Sequence, residues 1–163
     1  MTEDERWMQH ALAEARSAYN EDEVPVGAVV IRDGRIIGRG HNRIEGLQDP
    51  TAHAEILAIG AAASAVKSWR LEGASIYVTV EPCSMCAGAL VLSRMKRLVF
   101  GARDPKTGAC GSVLNIVQNA RLNHRVEVTE GVLADEASRL LQAFFRQLRR
   151  GELKEGQGPE PSS

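Results

Sequence analysis

The sequence is poor in cysteine, and its few cysteines do not form a disulfide framework. There are three among 163 residues, an odd number, and two of them are spaced as Cys83-x-x-Cys86. Secreted domains held by disulfides have several pairs, whereas one close pair in a reducing compartment is typical of a metal or thiol site. Disulfides are therefore excluded as the main source of stability, and Cys110 is left outside the pair.

A membrane span and a basic leader are also missing. No stretch approaches the ~18 apolar residues of a membrane span, and the first ten residues, MTEDERWMQH, are acidic where a secretory signal is basic. These absences predict a cytoplasmic protein with no membrane partner. The chain is 44% hydrophobic and 25% charged, which is typical of a folded globular domain and argues against a disordered chain.

The net charge is close to zero but unevenly distributed. Residues 1–93 contain 8 basic and 13 acidic side chains, whereas residues 94–154 contain 12 basic and 6 acidic ones. A basic half is compatible with a polyanionic partner on one face, and equally with ordinary solvated helix faces. Charge alone does not decide between these interpretations.

Hydrophobic periodicity predicts alternating helices and strands. Thr2 and Glu5 form a capping box before an amphipathic helix over 3–20. Asp33-Gly34 fits the turn of a hairpin. The predicted strands are 27–32, 35–41, 74–80, 97–102 and 126–132, and the other predicted helices are about 52–65, about 83–94 and 134–150. This order favours parallel crossover units in one sheet covered by helices, with a single domain over 1–154 and a disordered tail over 155–163.

Two short motifs at the start of predicted helices carry reactive side chains. TAHAE contains His53 and Glu55, and EPCSMC contains Cys83 and Cys86. Residues i and i+2 diverge by about 200° around a helix, so His53 and Glu55 converge only beyond its N-terminal end. Cys83 and Cys86 are three residues apart, on one face, where they can chelate together. Helix N-termini also stabilise thiolates.

One imidazole and two thiolates make a zinc site with three protein ligands. The fourth tetrahedral position is then open to water, which is typical of catalytic rather than structural zinc. Zinc lowers the pKa of bound water to about 7, and a carboxylate beside it can take that proton and deliver it to a leaving amine. We therefore predict one Zn²⁺ per chain, bound by His53, Cys83 and Cys86, with Glu55 as the catalytic residue.

Each motif alone has simpler explanations. Cys-x-x-Cys also occurs as a redox pair, as half of a structural metal site, or as two small buried residues. A redox pair fits less well because Pro82 precedes the cysteines instead of lying between them. The two motifs together, about 30 residues apart and each at a strand-to-helix junction, are typical of zinc deaminases that act on nucleobases.

Longer stretches extend this pattern over nearly the whole chain except its tail. They are residues 24–28 (VPVGA), 40–43 (GHNR), 49–56 (DPTAHAEI), 77–89 (YVTVEPCSMCAGA), 100–108 (FGARDPKTG) and 123–127 (NHRVE). On these residues the sequence resembles the bacterial tRNA-specific adenosine deaminases of the cytidine/deoxycytidylate deaminase superfamily. The zinc motifs are common to the superfamily, whereas 100–108 and 123–127 point to the tRNA branch.

The resemblance implies a fold, a substrate and further site residues. The fold is a three-layer α/β/α arrangement, with a mixed central sheet and helices on both faces, in a homodimer. The reaction is hydrolysis of adenosine to inosine at the wobble position of an arginine tRNA, recognised through its anticodon stem-loop. Asn42 and the backbone of Ala54 would contact the flipped base, and Asp104 and Lys106 lie in a loop expected near the RNA.

Several of these residues also have structural interpretations. Asn42 can close the second strand as a turn residue, and Asp104 can brace its own loop, as Asp commonly does. Phe144 and Phe145 lie in a stretch that resembles the helix bordering the substrate, and core packing explains them equally well.

Two rival functions follow from the same motifs. The first is an enzyme that acts on a free base or nucleoside, such as guanine or cytosine, with the same zinc site. The second is a binding module in which zinc only stabilises the fold. Glu55 argues against the second, because a purely structural metal site has no use for that carboxylate.

Overall fold

The computed structural model describes residues 1–151. Its elements are α1 (Glu3–Asn20), β1 (Gly27–Arg32), β2 (Arg35–His41), α2 (Ile44–Leu47), α3 (Ala54–Val66), β3 (Ser75–Val80), α4 (Ser84–Leu92), β4 (Arg97–Ala102), β5 (Glu127–Thr129) and α5 (Ala134–Arg149). The predicted tail over 155–163 and the predicted domain end at residue 154 lie outside the described residues. Within the described part, no helix is both long and apolar enough to cross a membrane.

The five strands form one mixed sheet in the order β2-β1-β3-β4-β5. β1 is antiparallel to both of its neighbours, β2 and β3, whereas β3, β4 and β5 are parallel. β2, β3 and β4 therefore run in the same direction and end at the same edge of the sheet. Ligand sites of open α/β sheets form at such carboxyl ends.

Helices cover both faces of the sheet, as predicted. Ala28 and Val30 of β1 belong to a buried cluster with the alanines of α3 and with Leu90 of α4. The alternate residues Val29 and Ile31 belong to a second cluster, with side chains of α1 and α5. Because successive strand residues point to opposite faces, the sheet separates two cores. The three-layer α/β/α fold is confirmed.

Local signals in the sequence are confirmed at α1 and at the first hairpin. The Thr2 side chain accepts a hydrogen bond from the Glu5 N–H, and the Glu5 carboxylate accepts one from the Thr2 N–H. Asp33 and Gly34 have φ values of 53° and 71°. Two consecutive residues with positive φ make the type I′ turn that suits the twist of a two-stranded hairpin.

Three details differ from the predictions. The short helix α2 was not predicted. The last strand spans Glu127–Thr129 instead of 126–132, because its ladder covers only the first half of β4 and Gly131, with φ 81°, interrupts the extended backbone. α3 and α4 begin at Ala54 and Ser84, so His53 and Cys83 are N-cap residues outside the helical turns.

Two glycines let α3 approach β2 closely. A Cβ atom on Gly40 would lie 2.4 Å from the Ala54 carbonyl oxygen, and one on Gly38 would lie 2.4 Å from the Ala58 carbonyl oxygen. Both distances are too short for any side chain, so the helix backbone rests directly on the strand. This contact sets the position of the α3 N-terminus, where His53 lies.

Asp4 connects α1 to the sheet. Its carboxylate accepts two hydrogen bonds from the Arg97 guanidinium, at 2.9 and 2.7 Å, and one of 2.7 Å from the Tyr77 hydroxyl. The hydrogen bond from Arg97 holds the pKa of Asp4 below its ordinary value of 3.8, although burial acts in the opposite direction. The ionised form of Asp4 is therefore preferred more strongly in the folded chain than in the unfolded one.

This preference predicts a stability effect that depends on pH. A carboxylate whose pKa is lowered by folding stabilises the fold above its unfolded pKa, and the contribution is lost as pH falls through the folded pKa. We expect Asp4→Asn to lower the free energy of unfolding by about 2 kcal/mol at pH 7, and by progressively less below about pH 4. Urea unfolding at several pH values measures this difference.

Glu72→Gln is the control for the Asp4 variant. Glu72 pairs with Arg70 on the surface, where both side chains are more than half exposed. Exposed pairs contribute about 0–1 kcal/mol, so this variant should stay close to the wild type at every pH. A destabilisation by Asp4→Asn that is the same at pH 3 and pH 7 would contradict the role given to the Asp4 charge.

Candidate active site

The site lies at the carboxyl edge of β2, β3 and β4. His53 is the N-cap of α3, and Cys83 is the N-cap of α4, both with extended backbone. Cys86 is the third residue of α4. The side chains of an N-cap and of the third helical residue meet over the first turn, as they do in a capping box. The two helix N-termini thus bring one imidazole and two thiols together.

The three donor atoms have the spacing of a tetrahedral metal site. His53 Nδ1 lies 3.6 Å from Cys83 Sγ and 3.5 Å from Cys86 Sγ, and all three atoms lie within 4.8 Å of one another. Bond lengths of about 2.3 Å to sulfur and about 2.05 Å to nitrogen place N and S about 3.6 Å apart around tetrahedral zinc. The distances, as well as the N/S donor set, therefore fit a zinc ion.

Protonation of the three groups is strongly coupled. The hydrogen bond from the Cys86 thiol, followed by the one from His53, lowers the pKa of Cys83 to about 4, against the effect of burial. The same Cys83–Cys86 bond raises the pKa of Cys86, and the bond to Cys83 raises that of His53. The low pKa of Cys83 favours its thiolate form, as does its position at the N-terminus of α4.

Glu55 is a buried carboxyl group next to these three donor groups. Its residue is 4% exposed, and burial raises its pKa to about 7, partly opposed by a hydrogen bond from its own backbone N–H and by the charge of His53. Glu55 is not one of the three groups whose donor atoms converge. A cation held by those groups would favour the charged carboxylate. A carboxyl group with a pKa of about 7 can both accept and donate a proton near neutral pH.

A cavity of ≈ 160 Å³ opens beside His53, Glu55 and Cys83. Its other lining residues are Val24, Val26, Asn42, Ile44, Val80, Glu81, Asp104 and Thr107. Aliphatic walls with a few polar groups are typical of small-molecule and base pockets.

Asn42 combines a structural contact with a place in the pocket wall. The Ala54 N–H donates to Asn42 Oδ1 over 2.9 Å, and the Asn42 N–H donates to the Val26 carbonyl. The first bond fixes the amide orientation and leaves the Nδ2 group as its donor. Ala54 is buried and its N–H is used by Asn42, and it is not among the described residues that line the cavity.

Asp104 lines the cavity, but its oxygens are engaged within its own loop. They accept hydrogen bonds from the Lys106 N–H, at 3.1 Å, and from the Thr107 N–H and hydroxyl, at 3.1 and 2.7 Å. These contacts support the loop-bracing interpretation. The Lys106 side chain is exposed beside the pocket and is not part of its described lining. A contact of Asp104 or Lys106 with RNA stays a prediction.

Two other residues singled out in the sequence belong to the core. Phe144 is 1% exposed and packs edge-on against Tyr19 and Phe145, with ring centroids 6.1 and 5.5 Å away. Core packing therefore explains Phe144, whereas Phe145 is partly exposed. Cys110 is also buried in the core and lies outside the ligand group.

Glu81 is a pocket residue that the sequence analysis did not assign. It is 3% exposed, and its carboxylate accepts hydrogen bonds from the loop that follows β4. Burial acts to raise the pKa of Glu81, but hydrogen bonds from Ser112 and from backbone N–H groups hold it below its usual value. The sequence signal that could have pointed to Glu81 is its place as a charged residue between Pro82 and the strand sequence SIYVTV.

Comparison with known proteins agrees with this geometry. The model of the MafB19-like deaminase family matches residues 2–149. The tRNA-specific adenosine deaminase of Bacillus subtilis is 53% identical over 150 residues, covering 92% of this chain and 93% of that protein.

Solved structures are similar as well. One from a study of A-to-I editing by tRNA:A34 deaminases at the wobble position of transfer RNA has a TM-score of 0.81 and 46% identity, covering 83% of this chain and 99% of that one. The guanine deaminase of Nitrosomonas europaea has a TM-score of 0.76 and 27% identity, covering 88% and 85%. The chain belongs to the tRNA-specific adenosine deaminases, within the MafB19-like deaminase family.

Proposed function

We propose that this protein hydrolyses adenosine to inosine at the wobble position of the anticodon of an arginine tRNA, with one zinc ion per chain. The observation that carries the proposal is the convergence of His53, Cys83 and Cys86 at 3.5–3.6 Å with the buried, non-ligand Glu55 beside one pocket. The choice of tRNA adenosine as the substrate is supported by a relative named tRNA-specific adenosine deaminase, whose similarity covers 92% of this chain.

His53, Cys83 and Cys86 would hold the zinc ion, and Glu55 would move the protons. When bound, zinc would act as a Lewis acid that makes water a nucleophile near neutral pH. Glu55 accepts a proton from the attacking water and later delivers a proton to the amino group on C6, which leaves as ammonia. Burial of Glu55 excludes competing solvent from this transfer.

The polar and aliphatic walls would orient the base. The Asn42 amide, fixed by the Ala54 N–H, presents Nδ2 as a donor to an acceptor on the purine or its ribose. Val24, Val26 and Ile44 supply apolar contacts. The base reaches this pocket only when it leaves the stack of the anticodon loop, which a single-stranded loop allows at low cost.

A substrate panel tests the proposal against the free-base rival. The similarity to a guanine deaminase makes guanine the most relevant alternative substrate. We expect the protein to form inosine in tRNA and in an anticodon stem-loop RNA. The kcat/KM for free adenosine and for guanine should be less than about one-thousandth of the value for the stem-loop, because small substrates lack the contacts that the rest of the RNA makes with the protein. Efficient release of ammonia from guanine with no inosine in tRNA would favour the rival.

RNA affinity should fall steeply with salt. Basic side chains outnumber acidic ones over residues 94–154, and they include Lys106, Arg149 and Arg150. Each contact between a basic side chain and a phosphate of single-stranded RNA contributes about −0.7 to the slope of the log binding constant against the log salt concentration. Three contacts predict an approximately twentyfold loss of affinity between 50 and 200 mM salt. Fluorescence anisotropy of a labelled stem-loop measures it with wild-type protein and with Lys106→Ala.

Lys67→Ala is the matched control for the salt experiment. Lys67 is the C-cap of α3, at the opposite end of the helix from His53. Removing Lys106 should reduce the salt slope by about 0.7, whereas removing Lys67 should leave it unchanged. A wild-type affinity that does not depend on salt would contradict an electrostatic contact with RNA.

Asp104→Asn separates loop bracing from a charge effect on the substrate. Asparagine is nearly isosteric and can still accept hydrogen bonds from the Lys106 and Thr107 N–H groups, so the loop is kept while the charge is lost. A carboxylate favours the donor 2′-hydroxyl of ribose and repels phosphate. We expect the RNA-to-DNA ratio of deamination rates on matched hairpins to fall.

Either outcome of this experiment assigns a role to Asp104. An unchanged RNA-to-DNA ratio in a folded, zinc-containing Asp104→Asn protein would leave Asp104 with loop bracing alone. Zinc content is the control, because Asp104 is not part of the ligand group.

The homodimer, the single domain over 1–154, and the cytoplasmic location are part of the proposal. Sedimentation of the purified chain at micromolar concentration should give twice the 17.7 kDa mass of one chain. A monomer that retains full activity would remove the dimer from this account.

A further inference from the structure

Glu81 is the centre of a hydrogen-bond network between β3 and the loop after β4, residues 103–112. Oε1 accepts from the Asp104 N–H at 3.0 Å and from the Ser112 hydroxyl. Oε2 accepts from the Cys110 N–H at 3.1 Å and from the Ser112 N–H at 3.0 Å. All four donors belong to this one loop, although they lie 23–31 residues from Glu81.

The loop packs closely around this carboxylate. A Cβ atom on Gly108 would lie 2.4 Å from the Glu81 carboxyl carbon, so only glycine fits there. The Ala109 N–H also donates to the Pro82 carbonyl at 2.9 Å. The segment between β3 and the ligand Cys83 is thus joined to the loop by both side-chain and backbone contacts.

No Lys or Arg side chain of residues 1–151 donates a hydrogen bond to the Glu81 carboxylate. Its hydrogen-bond donors are backbone N–H groups and one hydroxyl, and each oxygen already accepts two hydrogen bonds. Such a group is poorly suited to accept a further proton or to bind metal. It is well suited to hold a polar loop in one conformation, because a buried carboxylate that loses its donors is costly.

The same loop forms part of the pocket wall. Asp104 and Thr107 line the cavity, together with Asn42 and Ile44. The position of this wall relative to Cys83 therefore depends on Glu81. We propose that Glu81 is a positioning residue, which holds loop 103–112 in the conformation that receives the RNA substrate. That the substrate is RNA rests on the proposed function, whereas the contact between Glu81 and the loop does not.

Two variants disturb the contact from opposite sides. In Glu81→Gln, the –NH2 group replaces one acceptor oxygen and faces the Asp104 N–H or the N–H groups of Cys110 and Ser112, so at least one of the four hydrogen bonds is lost. In Gly108→Ala, the carboxylate is kept and the new Cβ pushes the loop away. Both should raise KM for the anticodon stem-loop by at least about tenfold, with kcat within about threefold and zinc content unchanged.

Hydrogen exchange measures the loop without any substrate. We expect the amides of Asp104, Cys110 and Ser112 to exchange at least about tenfold faster in both variants. Glu23→Gln is the matched control: Glu23 is another buried carboxylate, 3% exposed, which accepts hydrogen bonds from the Glu45 and Gly46 N–H groups of α2. It should leave exchange in loop 103–112 at the wild-type rate.

The outcomes separate the possible roles. Faster loop exchange with a selective rise in KM supports positioning. Wild-type exchange and wild-type KM in folded Glu81→Gln would overturn it, as would a loss of kcat alone, which would make Glu81 a catalytic group. If wild-type protein deaminates no RNA, the proposed function fails, whereas the exchange measurement still tests the loop contact.

Discussion

Glu55→Gln is expected to lower the rate of deamination by about a thousandfold or more, with about one zinc still bound per chain. Glutamine has almost the same shape, but it cannot take a proton from water and pass it on. Glu55 is buried beside the ligand atoms without being one of them, so the metal should stay. Single-turnover assays on an anticodon stem-loop, together with metal analysis of the same protein, measure both effects.

Glu55→Ala and Glu72→Gln complete this experiment. The alanine variant removes the carboxyl group altogether and should also keep zinc while losing deamination. Glu72 lies on the surface in a pair with Arg70, so its neutral variant should deaminate at the wild-type rate. Loss of zinc from Glu55→Gln, or wild-type turnover by it, would refute the role of Glu55 as a proton carrier that is not a metal ligand.

Removing one metal ligand should abolish zinc binding and activity together. With two protein ligands left, Cys86→Ala is expected to keep less than about one-tenth of a zinc ion per chain after dialysis against a chelator. Activity should fall to background. His53→Ala and Cys83→Ala should behave in the same way, and the loss of bound metal should lower Tm, because a ligand that binds only the folded state stabilises it.

Cys110→Ala is the control for the ligand variants. Cys110 is buried like Cys86, but its Sγ lies 3.9 Å from the Pro82 carbonyl and outside the ligand group. Full zinc content in this variant, with zinc lost from Cys86→Ala, would identify the ligands rather than any buried thiol. Full zinc content in Cys86→Ala would contradict the assigned site.

Elements specified by nearby residues were predictable from the sequence. The capping box of α1 joins residues three positions apart, and the first hairpin depends on the two residues of its turn. The zinc motif was visible for a similar reason, because Cys83 and Cys86 are an N-cap and the third residue of one helix. The meeting of His53 with these cysteines follows from β2 and β3 ending at one edge.

Elements specified by distant residues were not predictable. α2 is a single turn, and its first N–H groups are satisfied by Glu23, more than 20 residues earlier. The loop after β4 takes its shape from Glu81 in the same way. β5 ended earlier than its apolar pattern suggested, because pairing with β4 stops at Thr129. Such hydrogen bonds leave no periodic signal in the chain.

The pocket residues were only partly predictable from the sequence. Asn42 was expected from resemblance, whereas its bond to the Ala54 N–H, which fixes its amide, required coordinates. Phe144 shows the opposite case: the stretch that resembles a helix bordering the substrate proved to place Phe144 in the core. The structure therefore narrows the candidate RNA contacts more than it extends them.

Deamination of the wobble adenosine of a tRNA in this pocket can be tested directly. The most direct measurement incubates the zinc-loaded protein with an arginine tRNA transcript that carries A at the wobble position, and maps inosine by sequencing. We expect inosine at that position alone, and none in a transcript with G there or with Glu55→Gln protein. An unmodified transcript under conditions in which the same protein converts guanine to xanthine would contradict it.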